Sequence, residues 1–200
     1  MAAIVSSGCL VASLRPFYLP DQLIQDDRLV GQWESVEQRT TIVIERGEWN
    51  AYRVAYKGPD LGAETTFAVY LTKVADAVFA DVSVVSALQK SELVAPLHAI
   101  YRVEVTDGAL SVRGLDFDWF TRASKQGLLA GLPHTIDDRQ HVIFSGAPEV
   151  TRRWLAARLK QDGIFTAPVE FRKSSASVGS PSAYADGSPT DAAPLTPANR

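Results

Sequence analysis

Tyr101-Arg102-Val103-Glu104-Val105-Thr106-Asp107-Gly108-Ala109-Leu110-Ser111-Val112-Arg113 reads as two alternating runs about a turn. Tyr101, Val103 and Val105 fall on one side of the first run, with Arg102 and Glu104 on the other. Beyond the turn, Leu110 and Val112 repeat the pattern against Ser111 and Arg113. Alternation at period two sets one face of a strand on a core and the other in water, which suits antiparallel pairing. Thr106-Asp107-Gly108 is the chemistry of a tight connection, so the segment predicts a β-hairpin.

The same reading extends toward the N-terminus. Tyr52, Val54 and Tyr56 alternate with Arg53 and Lys57, and Phe67, Val69 and Leu71 lie against Thr66 and Thr72. Arg46-Gly47-Glu48 and Val74-Ala75-Asp76 supply further short connections. Strands are therefore expected near 29–36, 40–46, 51–57, 64–73, 77–85, 97–105 and 109–116. Hairpins in series make a meander, and a long meander hides its edges most simply by closing into a barrel. The expectation is a mainly β, antiparallel, up-and-down barrel.

After Asp116 the pattern changes. Asp118 to Lys125 suits one or two helical turns, with Asp118 as N-cap and Gly127 as stop. Leu128 to Gln140 reads as a loop, and His141-Val142-Ile143-Phe144 as a short strand. Pro148 to Gln161 predicts a helix: Pro148 suits its first turn, Val150, Trp154 and Ala157 recur at helical spacing, and Gly163 ends it. Arg152, Arg153, Arg158 and Lys160 are then its solvated face. Val169-Glu170-Phe171-Arg172 alternates like a last strand. Residues 174–200 are Ser, Ala, Pro, Gly and Thr with few large apolar groups, a composition that does not offset chain entropy and predicts disorder.

Composition narrows the function classes. A hydrophobic content of 46% is ample for a core, and a net charge of -3 lacks the basic footprint of a nucleic-acid binder. No apolar run approaches the ~18 residues of a membrane-spanning helix. The single cysteine, Cys9, rules out an internal disulfide and a four-cysteine zinc site.

Ser7-Gly8-Cys9 resembles the end of a bacterial lipoprotein signal, where small residues precede a cysteine that is lipidated. The apolar stretch Ala2–Val5 is shorter than the 7–15 residues such a signal needs. Either a start lies upstream or Cys9 is an incidental thiol. Arg15-Pro16-Phe17-Tyr18-Leu19-Pro20 favours an extended lead. Residues 1–28 are accordingly expected as signal remnant and linker, with a short plug over one barrel end. Residues 29–173 form the barrel domain.

A closed meander, then a helix, then a final strand is the order of lipocalin-like barrels, and Gly31-x-Trp33 resembles their signature. The chain is similar, over about residues 8–173, to a group of small bacterial envelope proteins of that type. The resemblance implies a tryptophan, Trp33, that closes one barrel end beneath a late arginine, here Arg172. A guanidinium over an indole is worth roughly 0.5–2 kcal/mol. It also implies a calyx for a small apolar ligand, and a lipid anchor on the periplasmic side of the envelope.

The inward set Tyr52, Val54, Tyr56, Phe67, Val69, Tyr101 and Val103 has two readings. One is an apolar pocket with hydroxyl handles; the other is a packed core whose tyrosines reach partners at the rim. His134, Asp137, Asp138 and His141 lie close together, but their spacing matches no zinc site and reads as a solvated loop. Asp116 and Asp118 flank Phe117, and two nearby carboxylates suit acid–base work, but Asp118 is at least as well explained as a helix cap. No nucleophile elbow, phosphate loop or Cys/His pair is present. The sequence thus points to a non-enzymatic, lipid-anchored envelope protein without cofactor or metal. Its barrel either binds a small apolar ligand or is filled and contacts other envelope proteins.

Overall fold

The computed structural model describes residues 10–35, 37–59, 63–85, 96–137 and 141–174. Its first strands are β1 (Leu10–Ser13), β2 (Leu23–Ile24), β3 (Gly31–Ser35), β4 (Thr40–Arg46), β5 (Ala51–Lys57) and β6 (Thr65–Val74). They are followed by β7 (Ala77–Val84), β8 (His98–Val105), β9 (Ala109–Gly114) and helix α1 (Phe117–Lys125). The chain continues through β10 (His134–Ile136), β11 (His141–Phe144), helix α2 (Pro148–Ala156) and β12 (Val169–Lys173).

Strands β3 to β9 pair in sequence as an antiparallel meander, and β12 slots between β9 and β3 to shut it. The result is a closed antiparallel barrel of eight strands. It has lipocalin-like form, with α2 and β12 following the meander. Closure is consistent in register all the way round. Ile42 opposes Tyr56, Val54 opposes Phe67, Val69 opposes Val82, Ala80 opposes Tyr101, Val103 opposes Val112 and Phe171 opposes Leu110. Because side chains alternate, each of these pairs shares one face, and that face is the interior.

The outer face of β6, β7 and β8 is buried as well. Val74, Ala77, Phe79 and Ile100 point outward into a second core with Phe120, Phe144, Leu155 and Ile164. Helices α1 and α2 supply one side of this core, and a flap of three strands another. In that flap β1 runs parallel to β11, β11 pairs β10, and β1 joins the barrel beside Ala99 and His98 of β8. β8 therefore has two neighbours on one edge: β1 at its start and β9 from Tyr101 onward.

The structure departs from the sequence expectation in several places. Residues 10–28 are not a linker but contribute β1, two 3-10 turns and β2, which pairs with β6 beyond the end of β5. Asp116, not Asp118, caps α1, its Oδ1 accepting from the Trp119 N–H at 2.7 Å. The stretch expected as a loop over 128–140 includes β10. The β4–β5 connection lies where expected, with Gly47 and Glu48 each bonded to Ala51 across it and with Trp49 and Asn50, both at positive φ, at its tip.

A further difference, in packing, concerns α2. Arg152 is buried beneath the helix, not solvated with Arg153 and Arg158. Its guanidinium donates to Thr72 Oγ1 at 2.8 Å, to Gln22 Oε1 at 2.7 Å and to the carbonyls of Lys73 and Phe17 at 2.7 and 3.3 Å. It also lies over the Phe17 ring at 5.6 Å. Residues 17–22 are thereby clamped between helix and barrel. Asp81 fastens the same segment from β7, accepting from the Phe17 N–H and from His98 Nδ1 at 2.7 Å. Cys9, Asp138 and residues 175–200 lie outside the described residues.

Candidate functional site

The barrel interior holds a partly open cavity of about 120 Å³. All seven side chains singled out as an inward set line it: Tyr52, Val54, Tyr56, Phe67, Val69, Tyr101 and Val103. Ile42, Ile44, Leu71, Ala80, Leu110 and Phe171 complete much of the wall, and they follow from the same alternation. Leu29 was not legible this way, because it sits on a 3-10 turn where period two does not apply.

The lining is carbon almost throughout, and the Tyr52 hydroxyl is already engaged. The Tyr52 oxygen accepts from the Asp26 N–H at 2.6 Å and donates to the Asp26 carbonyl at 3.1 Å. Its phenol therefore holds the segment before β3 rather than facing an occupant. Tyr101 lines the cavity as well. Burial, with Tyr56 beside it, pushes the Tyr101 phenol up to about 12. Tyr56 meets Phe67 edge to face, with ring centroids 6.3 Å apart. A group entering this space finds no cation, so a carboxylate inside it would be left unpaired, at several kcal/mol or more.

One end of the barrel is partly covered from below by the segment Asp26–Val30. Leu29 reaches up into the cavity floor, and the Leu29 carbonyl accepts from Trp33 Nε1 at 2.7 Å. Trp33 is fully buried among the barrel core side chains. The cation over its ring is Lys173, not Arg172: Lys173 Nζ lies 5.2 Å from the ring centroid and donates to the Arg28 carbonyl at 2.9 Å. The reason is parity. Val169, Phe171 and Lys173 share the inward face of β12, whereas Arg172 opposes Glu34 on the outer face. Gly31 has φ +132°, and a Cβ there would come within 2.9 Å of Lys173 Cε, so the glycine leaves room for the lysine stem.

The remaining candidates are dispersed. His134 Nδ1 donates to the Leu132 carbonyl at 2.7 Å, which makes Nε2 the acceptor from Ser124 Oγ at 2.8 Å and ties β10 to the end of α1. Asp137 binds the His141 backbone N–H and ring, each at 2.8 Å, and closes the β10–β11 hairpin. Asp116 is engaged as a helix cap. Among the described residues no group of three His, Cys, Asp or Glu side chains is placed to hold a metal ion. No described helix is long and apolar enough to cross a membrane. Comparison with protein-family models, with curated proteins and with solved structures finds no match for this chain.

Proposed function

We propose that this protein binds a compact apolar ligand inside its barrel, and that it is held at the bacterial envelope by a lipid on Cys9. The observation that carries the binding reading is the interior cavity of about 120 Å³ with a carbon lining. An apolar cavity of roughly 150 Å³ stays dry and admits benzene or xenon. The space here suits a hydrocarbon group of about six carbons. It is smaller than the roughly 300 Å³ at which drug-sized pockets begin, which favours a small occupant or part of a larger one. The second reading, a filled barrel acting as an envelope structural component, draws on the same small volume. For the anchor, the support is that Cys9 is the only cysteine and follows Ser7-Gly8.

Benzene binding distinguishes the two readings. Benzene is expected to raise the melting temperature and to bind with a measurable Kd. Ala80→Leu, which fills the cavity from β7, should abolish that binding while the barrel still folds. Absence of benzene and xenon binding to the unaltered protein would establish the filled barrel instead. The anchor is checked by membrane fractionation of the protein expressed in a bacterium against Cys9→Ser. Equal recovery of both in the soluble fraction would remove it.

A further inference from the structure

We infer that the open mouth beside Leu29 is a headgroup site, and that the ligand is a short amphiphile with a cationic amine at one end and an apolar tail in the barrel. This rests on the cavity reading above. The segment Asp26–Val30 covers only part of the lower barrel end. On the side of β7 and β8 a groove of about 400 Å³ remains. Leu29, Leu71 and Val103 wall both this groove and the interior cavity. The two spaces are therefore neighbours, with the Leu29 side chain between them.

Their chemistries differ in the way an amphiphile requires. The cavity offers carbon. The groove offers Asp26, Asp76 and Glu104 against Arg28 and Arg102. Both guanidiniums already have carboxylate partners: Arg28 meets Asp26 at 2.5 Å, and Arg102 meets Glu104 at 2.9 Å. Asp76 takes part in no ion pair among the described residues. The groove thus carries one uncompensated negative charge. A carboxylate or phosphate head would meet an acidic balance and two occupied arginines, while an ammonium has Asp76 to approach. A tail of about six carbons matches the cavity.

Leu29 is held on a turn fastened at several points. Asp26 is gripped by Tyr52, the Leu29 carbonyl by Trp33 and the Arg28 carbonyl by Lys173. These bonds all engage backbone, which leaves the Leu29 side chain itself as the movable partition. A rotamer change there joins groove to cavity without unfolding the turn. Ligand would enter on the Trp33 side of the barrel.

The test compares hexylamine, hexanoate and benzene on the full chain by calorimetry at low salt. Hexylamine is expected to bind at least fivefold more tightly than hexanoate, and Asp76→Asn should bring the two within twofold. Leu29→Trp, which thickens the partition, should weaken hexylamine at least tenfold. Equal affinity for amine and carboxylate, or a preference unchanged in Asp76→Asn, would overturn the headgroup assignment while leaving the cavity reading intact. Failure of benzene as well as hexylamine would overturn both. Asp76 is a surface side chain at a turn, so its variant keeps the test decisive even if Leu29→Trp alters the fold.

Discussion

Lys173 over Trp33 is an arrangement in which each partner is placed by backbone rather than by its own attraction. The two residues are cross-strand neighbours on β12 and β3, and Gly31 clears the path of the lysine stem. The indole carries most of the energy, because burying a tryptophan is a volume effect. Trp33→Ala is expected to cost about 3–5 kcal/mol. Lys173→Ala should cost less, about 0.5–1 kcal/mol for an exposed cation–π contact. In a double-mutant cycle by urea denaturation, Trp33 and Lys173 should couple by about 0.5 kcal/mol or more, while Trp33 and Arg172 add independently. Coupling through Arg172 instead would contradict the β12 parity described here. Gly31→Ala should destabilise by about 1–3 kcal/mol, since its φ is open essentially to glycine alone.

Tyr101 gives a pH signature. Its phenol titrates near 12 in the folded protein and near the ordinary 10 when unfolded. Between those values the unfolded chain has released a proton that the folded chain still holds, so stability falls as pH rises. The contribution is fully present below pH 10 and lost on approaching 12. At about 1.4 kcal/mol per unit, it amounts to roughly 2–3 kcal/mol. Tyr101→Phe should flatten that part of the stability profile, measured by denaturant midpoints from pH 9 to 12. An unchanged slope would mean that the phenol ionises as freely folded as unfolded.

At the scale of elements, α2 is attached to the barrel through Arg152. Four neutral acceptors and an aromatic face satisfy the guanidinium without a carboxylate partner, and burial draws its pKa down. Removing it takes away the donor to Thr72 Oγ1, Gln22 Oε1 and the Lys73 and Phe17 carbonyls, and leaves Thr72 Oγ1 only its bond to the Gln22 carbonyl. Arg152→Leu is expected to cost about 2–4 kcal/mol, and Arg153→Ala, on the exposed face, no more than about 0.5 kcal/mol. Limited proteolysis should then cut first within residues 15–22 in Arg152→Leu. Equal effects of the two substitutions would show that the clamp contributes little. Helical periodicity alone misassigned Arg152, because Thr151, Arg152, Trp154 and Leu155 form the buried face and a charged side chain on it looks solvated when its acceptors are far away in sequence.

At the scale of the molecule, β6, β7 and β8 belong to two cores at once. Val78, Ala80 and Val103 face the barrel interior, and Phe79 and Ile100 face the helical layer. Neither core can open without exposing the back of strands that the other needs. The chain should therefore unfold in one transition, with tryptophan fluorescence and far-ultraviolet dichroism coincident. Phe79→Ala on the outer face and Val103→Ala on the inner face should each lower that single midpoint. Separate transitions in either variant would show that barrel and helical layer are independent units.

Alternation by itself located the eight barrel strands, though not β1, β2 or β10, and told which side chains point inward and hence the predicted cavity set. It even held the information that Phe171 and Lys173 share a face, so the choice of Arg172 overlooked a signal present in β12. The signature glycine and tryptophan marked the lower end because a missing Cβ and a large indole are local properties of the chain. Other features had no local trace. Residues 10–28 look like a linker because Phe17, Gln22 and Leu29 find their partners on β6, β7, α2 and the barrel floor, up to 135 residues away. Burial of Arg152, Asp81 and His98 depends on acceptors supplied by distant elements, which propensity and period do not encode. The groove beside Leu29 arises only where a turn from the N-terminal segment meets β7 and β8. Periodicity reports one face of one element, whereas a partition between two cavities is a property of how elements meet.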